Sequence, residues 1–168
     1  MKVIGIDPGY ERLGIAIVEK TSGQEILLYS DCIQTSAKLP FTERLQIIGQ
    51  TFEKIIKEWK PDALAMEKLF FTNNQKTAMH VAEVRGMISY LSAQAGLIIG
   101  EFTPMEIKMS VSGYGGADKK QVISIVSKLV KIEKTIKHDD EYDAIAVALT
   151  YFAYEKIRAL GSQKSKSP

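Results

Sequence analysis

The chain has 168 residues, of which 45% are hydrophobic and 25% are charged. That size and apolar content suit one globular domain with a sizeable core and argue against a second domain. The formal net charge of +2 is too small to indicate a nucleic-acid partner, and the single cysteine excludes a disulfide framework. No spacing of Cys and His residues predicts a zinc site.

The first residues, MKVIGID, read as a strand and lack the basic and apolar segments of a signal peptide. No apolar run is long enough to span a bilayer. We therefore expect a cytoplasmic protein without membrane contact. Cys32, in the strand-like stretch LLYSDCIQT, fits that reducing compartment as a small buried side chain.

Three apolar or alternating runs open the chain and predict an antiparallel meander of strands. They are KVIGID, LGIAIVEK and EILLYSDCIQT, separated by turn-rich breaks. Pro40 then opens a predicted helix from Thr42 to about Lys60, in which apolar residues recur every three or four positions. Pro61 ends that helix, and ALAME is a short buried strand that delivers Glu67 at its end.

A second long helix is predicted from about Asn74 to Gln94. It carries a row of small residues, Ala78, Ala82 and Gly86, that lets another helix approach closely. That row could pack on the sheet or on a second subunit. The stretch GLIIGEFT that follows is the fifth predicted strand.

The last third of the chain is mainly helical. Thr103 followed by Pro104 predicts one helix start, and Asp118 caps another. The last helix is predicted from about Asp140 to Leu160. Together the elements predict an α/β fold with a five-stranded mixed sheet flanked by helices.

The predicted domain covers residues 1–160. Residues 161–168 form a basic tail that lacks apolar side chains and is expected to be disordered. Between Pro104 and Lys137, seven lysines stand against three acids, a local charge of +4. Alone, this could be a solvated helix face.

Four carboxylates stand at the start of the last helix, in the stretch KHDDEYDAIAV. Asp140 and Asp143 are three residues apart, so they project from the same side of a helix. Acidic residues also favour helix N-termini, which explains Asp139 and Glu141 as capping or solvent-facing residues. Capping explains Asp143 poorly, because it precedes an apolar run where an unpaired carboxylate is costly.

Two further acids end apolar strands. Asp7 follows VIGI, and Glu67 follows ALAM. Each alone could be a turn cap or an exposed strand end. However, the end of a central strand faces the crevice where α/β proteins place their chemistry. Acids from three apolar elements predict an oxygen-only site for Mg²⁺ or Mn²⁺, and two such ions suit phosphodiester hydrolysis.

Three blocks in order resemble the RuvC family of bacterial Holliday-junction resolvases: IGIDPGYERLGIAIVE, MEKLFFTNNQKTAMHVAEVRG and DDEYDAIAVALTYF. The first block alone is weak, since actin-like ATPases share a strand ending in Asp-x-Gly. The resemblance covers nearly the whole chain up to the tail. It implies a ribonuclease H-like fold, a homodimer, and a magnesium-dependent endonuclease that nicks four-way DNA junctions symmetrically in recombination and repair.

The resemblance also implies ligands and partners. By position, the family's catalytic, metal-binding acids fall on Asp7, Glu67, Asp140 and Asp143, which would hold two Mg²⁺ ions, with Mn²⁺ as a substitute. A branch-migration complex of the RuvA and RuvB type is the implied protein partner.

DNA contacts are implied as well. Phe70 and Phe71 match aromatic residues that wedge or stack at the junction crossover, although Phe71 could instead belong to the core. Lys108 and Lys119 match lysines near the scissile strand, where they would counter phosphate charge, and Lys120 is an extra neighbour.

The chain departs from the family pattern at a few positions. Asn73 stands where a basic residue is common, Leu13 where a threonine often precedes the glycine, and Asp140 where some relatives carry histidine. His138 is interpreted as supporting the site or merely exposed. His80 has no partner in the pattern and is interpreted as structural.

Three alternatives compete with this interpretation. They are another nuclease of this fold acting on RNA, a non-catalytic junction-binding module, and an actin-like ATPase. The presence of all four acids disfavours the binding module, which has no need of them. The chain is too short for the ATPase, which needs two such lobes and further phosphate loops.

Overall fold

The computed structural model describes residues 1–68 and 75–164. Its strands are β1 (Lys2–Asp7), β2 (Arg12–Thr21), β3 (Gln24–Gln34), β4 (Ala63–Glu67), β5 (Ile98–Phe102) and β6 (Val130–Lys131). Its helices are α1 (Phe41–Trp59), α2 (Gln75–Gln94), α3 (Pro104–Ser112), α4 (Lys119–Leu129) and α5 (Asp139–Lys164). No helix in the described ranges combines the length and apolar character needed to cross a bilayer.

The strands form one mixed sheet in the order β5-β4-β1-β2-β3-β6. β1, β2 and β3 pair antiparallel, as the meander predicted, while β4 and β5 run parallel to β1. The predicted count of five strands is wrong by one. β6 adds a sixth strand by pairing parallel with β3 at Glu25 and Ile26. Two residues are too few to show a strand alternation in the sequence.

The helix ends agree closely with their sequence signals. Thr103 and Asp118 each form a capping box, in which the side chain accepts a hydrogen bond from the backbone N–H of the third helical residue. α5 is longer than predicted, since it continues four residues past Leu160 to Lys164. Gly161 lowers helix propensity there but does not by itself stop a helix. The division into a domain over 1–160 and a tail stays a prediction.

Each face of the sheet buries its own core. Because side chains alternate along a strand, odd-numbered positions of β1 and β4 point to one face and even-numbered positions to the other. One core unites the even-numbered side chains with α1 and α2, around Ile4, Ile6, Phe52, Leu64, Met66 and Ile88. The other unites the odd-numbered side chains with α3, α4 and α5, around Val3, Ala63, Ala65, Ile107, Val126 and Ile145.

Helix α5 lies unusually close to β1 and β2. A Cβ atom on Gly5 would overlap the carbonyl oxygen of Ala144, and one on Gly14 would overlap the carbonyl oxygen of Asp140. Gly14 is also the residue opposite Asp7 in the β1–β2 ladder. The absence of two side chains therefore lets the acidic start of α5 settle directly beside the end of β1.

This contact makes a prediction for Gly14→Ala. The added methyl group meets backbone that cannot move alone, so we expect a loss of about 1–3 kcal/mol in the free energy of unfolding, measured by urea denaturation. Gly115→Ala is the control, because its nearest neighbour is the flexible side chain of Met105 at 3.1 Å. We expect that change to cost less than about 0.5 kcal/mol. Equal costs would contradict the close-contact explanation.

Candidate active site

Two of the predicted acids end neighbouring strands at one edge of the sheet. Ile6 is opposite Met66 in the parallel β1–β4 ladder, so the residues that follow them, Asp7 and Glu67, leave the sheet side by side. Both are odd-numbered and therefore point to the face that α5 covers. The strand register thus brings together two carboxylates that are 60 residues apart in the sequence.

The other two acids come from the first turns of α5. Asp143 lies one residue before Ala144, whose backbone touches Gly5, and Asp140 is itself the residue that touches Gly14. Asp7, Glu67 and Asp143 line one cavity of about 290 Å³ together with Lys108 and Lys119. Its remaining walls are mainly apolar: Pro104, Ile107, Val122, Ala146 and Val147. Three of the four predicted acids therefore share one pocket.

The electrostatics of the pocket show how closely the acids interact. Burial, followed by the charges of Asp143, Glu67 and Asp140, raises the pKa of Asp7 from 3.8 to about 7. Burial and the charge of Asp143 raise the pKa of Glu67, although Arg85 and Lys108 oppose the shift. Burial and the neighbouring negative charges together disfavour ionisation of Asp7 below about pH 7, and a bound cation would oppose that effect.

Two basic residues compensate part of that charge. The Nζ of Lys119 lies 2.9 Å from a carboxylate oxygen of Asp143 and 2.6 Å from one of Asp139. Arg12 donates a hydrogen bond to Asp140 and another, 2.9 Å long, to Asp139. Burial alone would lower the pKa of Lys119, but its hydrogen bonds to Asp139 and Asp143 outweigh burial and raise it.

The donor set fits a hard divalent cation, because the described residues that line the cavity offer carboxylate oxygens and no sulfur ligand. Among the described residues, no three potential metal ligands already stand in a ready-made site. Lys119 and Arg12 hold Asp143 and Asp140 in ion pairs instead. A bound cation would have to compete with these two side chains for the α5 acids.

Known proteins with similar sequences belong to one nuclease family. The family model of the crossover junction endodeoxyribonuclease RuvC matches residues 3–151. The RuvC protein of Thermosipho melanesiensis is 44% identical over 148 residues, which cover 88% of this chain and 94% of that protein. The chain belongs to the RuvC family. Its similarity to the RuvC of Brevibacillus brevis spans 99% of this chain and 100% of that protein, at 38% identity.

Solved structures support the fold assignment. The structure of Thermus thermophilus RuvC in complex with Holliday junction substrate has a TM-score of 0.87 and 29% identity, and the match covers 94% of this chain and 96% of that one. The yeast mitochondrial Holliday junction resolvase matches with a TM-score of 0.71 at 13% identity, covering 92% of this chain and 78% of that one, and shows the fold alone. The predicted ribonuclease H-like fold is confirmed.

The predicted DNA-binding residues have different positions. Lys108 and Lys119 line the cavity, whereas Lys120 is exposed and does not line it. Phe70 and Phe71 lie outside the described residues, as does Asn73. Their predicted contacts with DNA stay predictions.

Both histidines lie away from the cavity lining. His80 stacks on Phe41 with ring centroids 4.1 Å apart and meets Tyr10 edge-on, which agrees with a structural role. His138 is 3.1 Å from Gln34 through its Nε2 atom.

Glu141 was expected to be solvent-facing or capping, and the first half of that expectation is wrong. Only 2% of the residue is exposed. It accepts hydrogen bonds from Ser30 and Lys134, at 2.6 and 2.8 Å, and from the backbone N–H groups of Lys137 and His138. Burial would raise the pKa of Glu141, but these hydrogen bonds lower it overall. Glu141 thus anchors the start of α5 to β3 while capping the helix.

These ion pairs also show what several lysines of the positively charged stretch, residues 104–137, contact. Lys134 is bonded to Glu141 and to the carbonyl oxygen of Ser30, and Lys131 pairs with Glu133 at 2.7 Å. Lys119 and Lys134 therefore pair with acids outside the 104–137 stretch, whereas Glu133 is already counted in the +4. Sequence reasoning missed these pairings because the partners of Lys119 and Lys134 come together only in the folded chain.

The raised pKa of Asp7 predicts a pH-dependent stability in the presence of a chelator. The stabilising contribution of protonated Asp7 is complete below its ordinary pKa of 3.8 and is lost as the pH rises through about 7. Asp7→Asn cannot ionise. Its unfolding free energy, relative to that of the native chain, should therefore grow by about 2 kcal/mol between pH 5 and pH 8.

Urea denaturation with EDTA at the two pH values measures this difference. Glu133→Gln is the control, because Lys131 lowers the pKa of Glu133, which is then ionised across the whole range. Its stability relative to the native chain should not change between pH 5 and pH 8. A constant difference for Asp7→Asn as well would show that the carboxylates do not interact as described.

Proposed function

We propose that the chain is a metal-dependent endodeoxyribonuclease that resolves four-way DNA junctions by paired, symmetric nicks in recombination and repair. The observation that carries this proposal is the cavity in which Asp7, Glu67 and Asp143 meet two lysines. Membership of the RuvC family supports the same chemistry. So does the likeness to a RuvC structure that contains Holliday junction substrate.

The residues that would hold metal are Asp7, Glu67, Asp140 and Asp143. When bound, two Mg²⁺ ions, or Mn²⁺ in their place, supply activation of a water for in-line attack and stabilisation of the departing 3′ oxygen. If metal replaced Lys119 as the partner of Asp143 and Arg12 as the partner of Asp140, the two basic side chains could turn toward the substrate.

The basic residues of the cavity serve the phosphate. Lys108 stands on α3 and Lys119 on α4, and both line the cavity beside the acids. A scissile phosphate seated between the acids and these lysines would have its charge countered by both ammonium groups. Lys120, which is exposed, would contribute to backbone phosphate binding outside the cavity. Phe70 and Phe71 would stack on unpaired bases at the crossover.

A homodimer suits this function, because two sites related by a two-fold axis can cut two opposed strands of a junction. We propose that the exposed side of α2 forms the interface. Met79 and Tyr90 on that side are 64% and 65% exposed. Ala82 is exposed and Gly86 has open space around it, but Ala78, which was predicted to share the row, is buried within the protomer.

The wider cellular setting is proposed on the same basis. A branch-migration complex of the RuvA and RuvB type would deliver the junction, and the protein would act in the cytoplasm, where bacterial DNA is accessible. These two assignments rest on family membership rather than on a surface of the described residues.

The decisive test is nicking of a labelled, branch-migratable four-way DNA junction in Mg²⁺. We expect paired nicks by the native protein, and more than about a 100-fold loss in Asp7→Asn with junction binding retained, because loss even of a residue that supports a metal ligand costs 10–100-fold. Asp118→Asn is a matched control, since Asn caps a helix as well as Asp and this acid is outside the four.

Other outcomes of this test would replace the proposal. Tight junction binding without cleavage in Mg²⁺ or Mn²⁺ would indicate a binding module. Equal action on the junction and on linear duplex of the same sequence, together with better cleavage of structured RNA, would indicate an RNA nuclease.

The dimer interface has its own prediction. Gly86→Leu places a bulky side chain on the exposed row of α2, and we expect the dimer dissociation constant to rise at least about tenfold because overpacking a close contact costs 1–3 kcal/mol. Sedimentation equilibrium measures it. Ser124→Leu adds similar bulk to an exposed position of α4 and should leave the constant unchanged. An unaltered dimer in Gly86→Leu would remove α2 from the interface.

A further inference from the structure

Asp139 is the one carboxylate at the start of α5 that both Arg12 and Lys119 contact. It accepts a hydrogen bond from Arg12 at 2.9 Å and lies 2.6 Å from the Nζ of Lys119. Arg12 comes from the start of β2 and Lys119 from the start of α4. Asp139 therefore joins three separate elements across the rim of the site, although it does not itself line the cavity.

Each of the two basic side chains pairs with one acid of the proposed metal site and also with Asp139, which is outside that site. Arg12 pairs with Asp140 and Asp139, and Lys119 pairs with Asp143 and Asp139. If Asp140 and Asp143 turn to a divalent cation, Asp139 remains as the partner of both. Without it, these two long side chains would have no second ion-pair partner among the described residues.

We propose that Asp139 is a positioning residue that keeps Lys119 and Arg12 at the rim of the cavity, where both meet the phosphate of the DNA strand. The proposal rests on the proposed nuclease function. It assigns Arg12 a role in binding phosphate and Asp139 a role that acts through two neighbours rather than on the substrate.

The alternative is an ordinary surface ion pair, which contributes little to stability. Asp139, Arg12 and Lys119 are 47%, 46% and 51% exposed, so their pairing adds little to folding. The contribution of the pairing is instead to restrict the conformations of the two basic side chains. Lysine and arginine side chains have many rotamers, and holding one in place before the substrate arrives avoids an entropy cost at the moment of reaction.

A double-mutant cycle between Asp139→Asn and Lys119→Met tests the proposal by single-turnover nicking of the junction at saturating Mg²⁺. We expect Asp139→Asn to slow nicking about fivefold to tenfold when Lys119 is present. In the Lys119→Met background, the same change should slow it less than about twofold. Asp139→Glu, which keeps the carboxylate, should recover most of the rate.

Magnesium binding to the DNA-free protein gives a second readout that does not depend on activity. Without Asp139, Lys119 is left with Asp143 alone and competes more strongly with the metal. Calorimetry should therefore show a loss of Mg²⁺ affinity in Asp139→Asn that is at least about threefold larger with Lys119 present than with Lys119→Met. Glu133→Gln, which removes an exposed acid paired with Lys131, is the matched control and should change neither quantity.

The two readouts distinguish the possible failures. Equal effects of Asp139→Asn in both backgrounds would reduce Asp139 to one more negative charge near the site and overturn the proposal. If the native chain fails to nick junctions, the proposed function fails, yet the calorimetric cycle still decides whether Asp139 controls Lys119.

Discussion

The active site depends on the close approach of α5 to the sheet at two glycines. Gly5 and Gly14 carry no side chain where the backbone of α5 passes, and Gly14 stands opposite Asp7 in the ladder. A helix separated from the sheet by ordinary side chains would lie farther away, and its carboxylates would interact less strongly with Asp7. The contact therefore sets the electrostatics of the site as much as its shape.

Bringing four carboxylates together is unfavourable in itself, and the fold offsets this cost in three ways. Lys119 and Arg12 pair with the acids of α5, as described above. The pKa of Asp7, raised to about 7, leaves that residue partly protonated near pH 7 when no cation is bound. The buried Glu141 network fixes the first turn of α5 against the mutual repulsion of its acids. The surrounding structure thus holds the acids in an arrangement that is unfavourable by itself but suits the proposed chemistry.

Much of this could be predicted from the sequence, because strand ends and helix starts are local signals. Asp7 and Glu67 follow short apolar runs, and the start of α5 is marked by its acids, so the elements that carry the site were found in order. The pairings among these elements were not local. Arg12 and Asp139 are 127 residues apart, and Ser30 and Glu141 are 111 residues apart, so no periodicity links them. β6 was missed because two residues carry no pattern, and the burial of Ala78 depends on how α2 is rotated.

The arrangement of cations suggests why an acidic site needs lysine and arginine as close neighbours. These side chains pair with the acids of α5, and a divalent cation on the same acids would have to displace them. Each displaced side chain would keep Asp139 as its partner and would still carry a positive charge that a DNA phosphate could neutralise. Metal binding and phosphate binding would then favour one another, because metal on the acids makes the two basic side chains available to the phosphate. Under the proposed role, Asp139 would keep the two side chains from moving into solvent during that exchange, so the coupling would depend on a carboxylate that contacts them rather than the metal.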